Sequence, residues 1–93
     1  MNEKNPLAMP RQEIDAIDTQ IIALLEERMT AVAEVIRIKK EERIDILDRG
    51  READVLENVR KRVVNQKYAD TIVATFEDIM RQSRHYQNQQ LED

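Results

Sequence analysis

From Arg11 to Asp93 the chain carries one glycine, Gly50, and no proline; Pro6 and Pro10 both stand within the first ten residues. A chain so short of turn residues has few places to reverse direction. An all-β fold needs a turn about every 8–12 residues, which this sequence cannot supply. Ala, Glu, Lys, Leu and Arg dominate instead, the composition of long helices. Cysteine is absent, which excludes disulfide scaffolds, thiolate metal sites and cysteine nucleophiles. The longest apolar run, Ile21 to Leu25, is too short for a membrane span or a signal-peptide core. A formal charge of -4, with two tyrosines, one phenylalanine and no tryptophan, opposes nucleic-acid binding, which calls for a basic surface and stacking platforms. The expectation is a soluble, cytoplasmic, all-α protein of 93 residues forming a single domain.

Apolar spacing predicts three helices, over roughly 7–42, 48–66 and 70–88. In the first, Ile14, Ile17, Ile21, Leu24, Leu25, Val32, Val35, Ile36 and Ile38 keep a helical period. Asn5 and Pro6 read as its N-cap and first residue. Pro10 then falls where it removes a backbone bond and kinks or delays the helix. The second helix carries Val55, Leu56, Val59 and Val63; the third starts from Asp70 as N-cap and carries Ile72, Val73, Phe76, Ile79, Met80 and Tyr86, with a fraying tail from Asn88. A first helix of about 35 residues spans roughly 50 Å. A compact domain of this length is roughly 30–35 Å across. One end must therefore overhang with its apolar stripe uncovered, and a second, antiparallel copy would cover it. The expected assembly is an intertwined helical homodimer.

Polar residues interrupt the apolar rows. Arg28, Val32, Val35 and Lys39 share one face of the first helix, with Arg28 and Lys39 about 20° apart in azimuth and roughly 16 Å apart along the axis. Glu52 continues the Leu56, Val59, Val63 row of the second helix, and Ser83 and Gln87 continue the Ile72, Phe76, Ile79 row of the third. Singly, each reads as a register device or a snorkelling side chain. Together they leave a surplus of positive charge, because Glu52 can pair only one of the two cations and an unpaired buried charge costs several kcal/mol. That is a pocket for a small anion. Arg11 lies about 100° around the helix from Arg28 and would reach a pocket only in a partner chain; its plainer reading is a surface pair with Asp15. His85 and the Glu41, Glu42, Asp45 run read as surface residues, Asp15 and Asp18 read as first-turn helix charges, and Ser83 has no base beside it.

Five motifs occur in order: R-x-E-I-D-x-I-D from Arg11 to Asp18, I-I-x-L-L-x-E-R-M from Ile21 to Met29, V-x-x-x-K from Val35 to Lys39, D-x-x-R-E from Asp48 to Glu52, and I-M-x-x-S-x-x-Y-Q from Ile79 to Gln87. As a set, covering Arg11 to about Leu91, they resemble the all-helical, AroQ-class chorismate mutase family. The resemblance implies three helices per chain, an interlocked dimer with two sites, no cofactor and no metal. It implies rearrangement of chorismate to prephenate on the route to phenylalanine and tyrosine. It further implies that Arg28 and the Arg11 of the partner subunit grip the two substrate carboxylates, and that Lys39 and Gln87 bond the ether oxygen of the breaking bond. Glu52, with the Asp48 backbone, would hold the ring hydroxyl. Ser83 would support a carboxylate, and Arg51 would sit at the rim. The sequence departs from the family pattern at Pro10, at Gln82 where the family is commonly acidic, and at Gly50 inside the D-x-x-R-E turn.

A pericyclic shift needs no nucleophile or general base. It needs a folded substrate conformer, which Arg clamps impose, and fixed donors where negative charge develops. Two alternatives stand beside this reading: an isochorismate–pyruvate lyase of the same fold, and a non-catalytic helical dimerisation module. No feedback control by aromatic amino acids is expected of this chain.

Overall fold

The computed structural model describes residues 5–91. Three α-helices succeed one another, α1 (Ala8–Glu42), α2 (Arg49–Arg62) and α3 (Ala69–Leu91), with a single 3₁₀ turn over Gln66–Tyr68 and no strand among the described residues. The all-helical class expected from the scarcity of turn residues is the one observed. Compactness divides the chain into an N-terminal unit, Met1–Ala31, and a C-terminal unit, Val32–Asp93.

In the N-terminal unit the helix begins two residues later than the Asn5–Pro6 reading predicts. Asn5 does cap, but it caps a turn: its Oδ1 accepts from Leu7 N at 2.9 Å and its carbonyl accepts from Ala8 N at 3.1 Å. Pro10 neither kinks nor interrupts α1. The first i→i−4 bond runs from Arg11 N to Leu7 O, so Pro10 occupies the opening turn, where the backbone N–H has no intrahelical partner to lose. The row Ile14, Ile17, Ile21, Leu24 is exposed along its length, from 45% at Ile21 to 62% at Leu24.

The C-terminal unit holds the buried core. Val32 and Ile36 contribute from the last turns of α1, and Ala69, Val73 and Met80 from α3. On α3 the buried positions are 69, 73, 80, 83 and 87, with Phe76 half-buried between them. This is the 4-3-4-3-4 spacing of one helix stripe, so Ser83 and Gln87 are the polar end of an apolar row. Ile72 and Ile79 flank that row rather than forming it. α2 packs along α3 through the half-buried Val55, Leu56 and Val59.

The ends of these elements have local causes. α1 stops in a Schellman turn: Arg43 takes the left-handed conformation at φ 55°, and Ile44 N donates back to Lys39 O at 3.0 Å. Asp48 is the N-cap of α2, its Oδ1 accepting from Arg51 N at 2.9 Å and its carbonyl from Glu52 N at 3.0 Å. α2 ends at Arg62, four residues before the expected limit of 66. Gln66 reaches back to donate to the carbonyls of Arg60 and Val63 at 2.9 and 2.6 Å, satisfying acceptors that a helix end leaves open. Asn65 then caps the 3₁₀ turn through Lys67 N. Consequently Asp70 is not an N-cap. It lies in the first turn of α3, where a carboxylate suits the helix dipole, and accepts from Arg60 Nη1 at 2.9 Å. At the other end α3 continues helically to Leu91 where the sequence reading expects fraying from Asn88.

Candidate functional site

The polar residues of the C-terminal unit meet where the end of α1 faces the last turns of α3. Lys39 is half-buried there, and Ser83 and Gln87 are buried, at 8% and 7% exposure. Lys39 Nζ donates to Gln87 Oε1 at 3.1 Å and to the Ile46 carbonyl at 2.7 Å. Gln87 Nε2 donates to Ser83 Oγ at 3.0 Å, the two residues lying one turn apart on α3. An ammonium can only donate, so the atom Gln87 turns to Lys39 must be its carbonyl oxygen, and its amide nitrogen is left for Ser83.

Counting donors shows what this line can still do. Lys39 has three N–H groups and spends two, leaving one. Gln87 has two and spends one, leaving one. The Ser83 oxygen accepts from Gln87 and keeps its own O–H to donate. No side-chain polar atom buried among the described residues lacks a partner, so the remaining donors are spare capacity on groups already held in place.

The backbone around Lys39 explains why it is held. The Schellman turn ties the Lys39 carbonyl to Ile44 N and folds the 43–48 segment back so that the Ile46 carbonyl meets the Lys39 ammonium. One residue is thus gripped at both its main chain and its side chain. Sequence reasoning does not find Ile46, since a main-chain acceptor leaves no mark in residue identity.

Glu52 departs from the sequence reading, which has it neutralise Lys39 or Arg28. Instead both of its carboxylate oxygens take Nη1 of Arg84 at 2.5 Å, an α2–α3 ion pair. Lys39 therefore has no carboxylate partner among the described residues. Arg84 escapes sequence reasoning because it stands one residue off the Ser83–Gln87 row. The available signal is its spacing, four residues after Met80 and three before Gln87. Asp48 and Arg51 sit one turn before Glu52 and at its side, the Asp48 carboxylate being occupied by the cap, while the Arg51 side chain is exposed.

Arg11 and Arg28 belong to the N-terminal unit. Arg28 is half-buried and Arg11 exposed, and the surface pair between Arg11 and Asp15 is not formed. The structure thus brings together Lys39, Ser83 and Gln87, sets Glu52 on Arg84, and carries Arg11 and Arg28 on the other unit. Hydrogen bonding to Arg37 lowers the pKa of the exposed Glu34 carboxyl, and the same bond, with that to Glu41, raises that of Arg37. His85 is exposed, no group of His, Asp or Glu able to hold a metal ion occurs among the described residues, and no described helix is long and apolar enough to cross a membrane.

A Lys–Gln–Ser line, half-buried at Lys39 and buried at Gln87 and Ser83, with donors to spare and the nearby carboxylate assigned to a separate cation, suits a small anionic ligand. Comparison with curated proteins and with solved structures gives no match. A family model described as chorismate mutase type II matches residues 10–88, a span that takes in all the site residues named above. By that match, covering most of its length, the chain belongs to the chorismate mutase type II family.

Proposed function

We propose that this protein is a chorismate mutase, converting chorismate to prephenate in phenylalanine and tyrosine biosynthesis. The observation that carries the reading is the donor count at Lys39 and Gln87: one uncommitted N–H on each of two residues joined by the 3.1 Å Lys39 Nζ–Gln87 Oε1 bond, and no acid among the described residues neutralising the ammonium. In the rearrangement the ether C–O bond breaks while a C–C bond forms, with no atom gained or lost. Negative charge accumulates on the ether oxygen as that bond opens. The two spare donors would meet it there, and a fixed donor at developing charge is worth about 10²–10³ in rate. Because both groups are already anchored, they need no reorganisation as the charge appears.

The remaining assignments complete the site. Arg28 and Arg11 of the partner subunit grip the two carboxylates and fold the enolpyruvyl arm over the ring. The Ser83 hydroxyl supports a carboxylate, Glu52 with the Asp48 backbone takes the ring hydroxyl, and Arg51 borders the entrance. The partner subunit is a second copy of this chain. Its support is the exposed row Ile14, Ile17, Ile21, Leu24; covering side chains that are about half exposed stabilises the assembly by on the order of 1 kcal/mol each. No cofactor is called for.

Complementation tests the shared site. Arg11→Ala and Lys39→Ala chains, each deficient alone, are unfolded together in equal amounts and refolded. Half the dimers are then mixed, and each mixed dimer has one intact site, so chorismate turnover should recover to about one quarter of wild type. A mixture no more active than its separate parents contradicts the reading.

A further inference from the structure

Arg84 has no role in the reading above, yet it holds the one carboxylate assigned to substrate. We propose that Arg84 is a positioning residue: by committing Glu52 it keeps that carboxylate aimed as an acceptor and keeps Lys39 free of an acid partner. The inference rests on the mutase reading and adds to it the device that separates the charges of the site.

The geometry supplies the reason. Arg84 projects from α3 and Glu52 from α2, and their side chains are 30% and 25% exposed, so the pair is half-withdrawn from water, where a charge-assisted bond is stronger than at an open surface. Arg84 makes both contacts through Nη1 alone. A carboxylate offers about four lone-pair positions; one nitrogen shared between its oxygens leaves others to accept a hydroxyl. Arg84 is also three residues before Gln87, hence its neighbour on the helix surface, and Gln87 is bonded to Lys39. The Glu52–Arg84 pair and the Lys39–Gln87 pair therefore lie about one helical turn apart on α3.

Consider the same site with Arg84 neutral. Glu52 has then lost its cation, while Lys39, bonded to Gln87 one turn along α3 from Arg84, is a cation without an acid partner among the described residues. A Glu52–Lys39 pair would cancel the charge meant for the ether oxygen and withdraw the acceptor meant for the hydroxyl. Arg84 prevents both with one contact, acting through Glu52 and touching no reacting atom.

A double-mutant cycle on the full-length protein tests this, with wild type, Arg84→Met, Glu52→Gln and the double variant assayed on chorismate, and Arg84→Lys as the conservative control. Arg84→Met should lower kcat about tenfold, because donation in the transition state is spoiled, and should also raise KM, because the acceptor for the ring hydroxyl is withdrawn. Arg84→Lys should restore activity to within about threefold, a point charge sufficing for contacts made by one nitrogen. In the Glu52→Gln background, Arg84→Met should have less than about a twofold effect, because the residue it acts through is gone. An Arg84→Met variant with wild-type kcat, or one whose loss multiplies with that of Glu52→Gln, overturns the proposal; a lowered unfolding midpoint with unchanged kcat assigns Arg84 to α2–α3 packing alone. Wild type without chorismate turnover overturns the underlying mutase reading as well, which separates the two failures.

Discussion

Replacing Lys39 by methionine removes one charge while keeping an unbranched stem of similar length. Two hydrogen bonds disappear, to the Ile46 carbonyl and to Gln87 Oε1. Their loss is unequal. Ile46 is half-buried, so water can replace the ammonium there. Gln87 is 7% exposed, and an acceptor left unpaired in such a place costs about 1–3 kcal/mol. Relief of the half-desolvated ammonium offsets part of this, giving a net destabilisation of about 1–2 kcal/mol and a fall in Tm of roughly 5–10 °C. Catalysis should suffer more: loss of one fixed donor at developing charge lowers kcat by about 10²–10³, equivalent to roughly 2.7–4 kcal/mol. A protein with about 5–15 kcal/mol of stability remains folded at 25 °C after the smaller change, so the two effects separate. Circular dichroism melts at matched protein concentration give the first, and chorismate disappearance gives the second. A folded Lys39→Met variant whose kcat stays within about threefold of wild type would refute the role given to this ammonium.

Three further substitutions have defined outcomes. Gln87→Glu should be active only at acidic pH: the new carboxyl donates to the ether oxygen when protonated, so activity should be present below its pKa and vanish as pH rises through about 4–5, an ordinary glutamate range; a flat pH–rate profile contradicts the placement. Gly50→Ala should stabilise the protein by about 0.4–1 kcal/mol in urea titration, since a Cβ there meets only Asp48 Oδ1, at an ordinary 3.6 Å, and the residue is helical; a lower midpoint would show a tighter site than the backbone indicates. Arg43→Gly should raise stability by about 1 kcal/mol with an unchanged m-value, as it relieves a side chain held at φ 55°; a loss would mean that the arginine side chain contributes more than the strain removes.

Much of this molecule is legible in the sequence because it depends on spacing. The scarcity of glycine and proline dictates long helices, and 4-3 periodicity places Ser83 and Gln87 on the buried row of α3. The rest is decided by contacts without a sequence period. α2 ends at Arg62 because the Gln66 side chain satisfies its last carbonyls, not because a breaker stands there. The Ile46 carbonyl reaches Lys39 through a chain reversal that a non-glycine residue, Arg43, makes in the left-handed region. Arg84 resembles any charged residue at the margin of a helix stripe, and only the α2–α3 packing reveals that it answers Glu52. Charge counting alone gives Glu52 to the wrong cation, since it tallies the residues on the rows and omits the one beside them.

Whether the intact protein rearranges chorismate is the central question. Purified chain should be given chorismate and isochorismate in separate reactions, with loss of each followed and products identified. Conversion of chorismate to prephenate, with no pyruvate released from either substrate, is the predicted result. Chorismate left unchanged would contradict the account, and so would pyruvate released from isochorismate while chorismate persists.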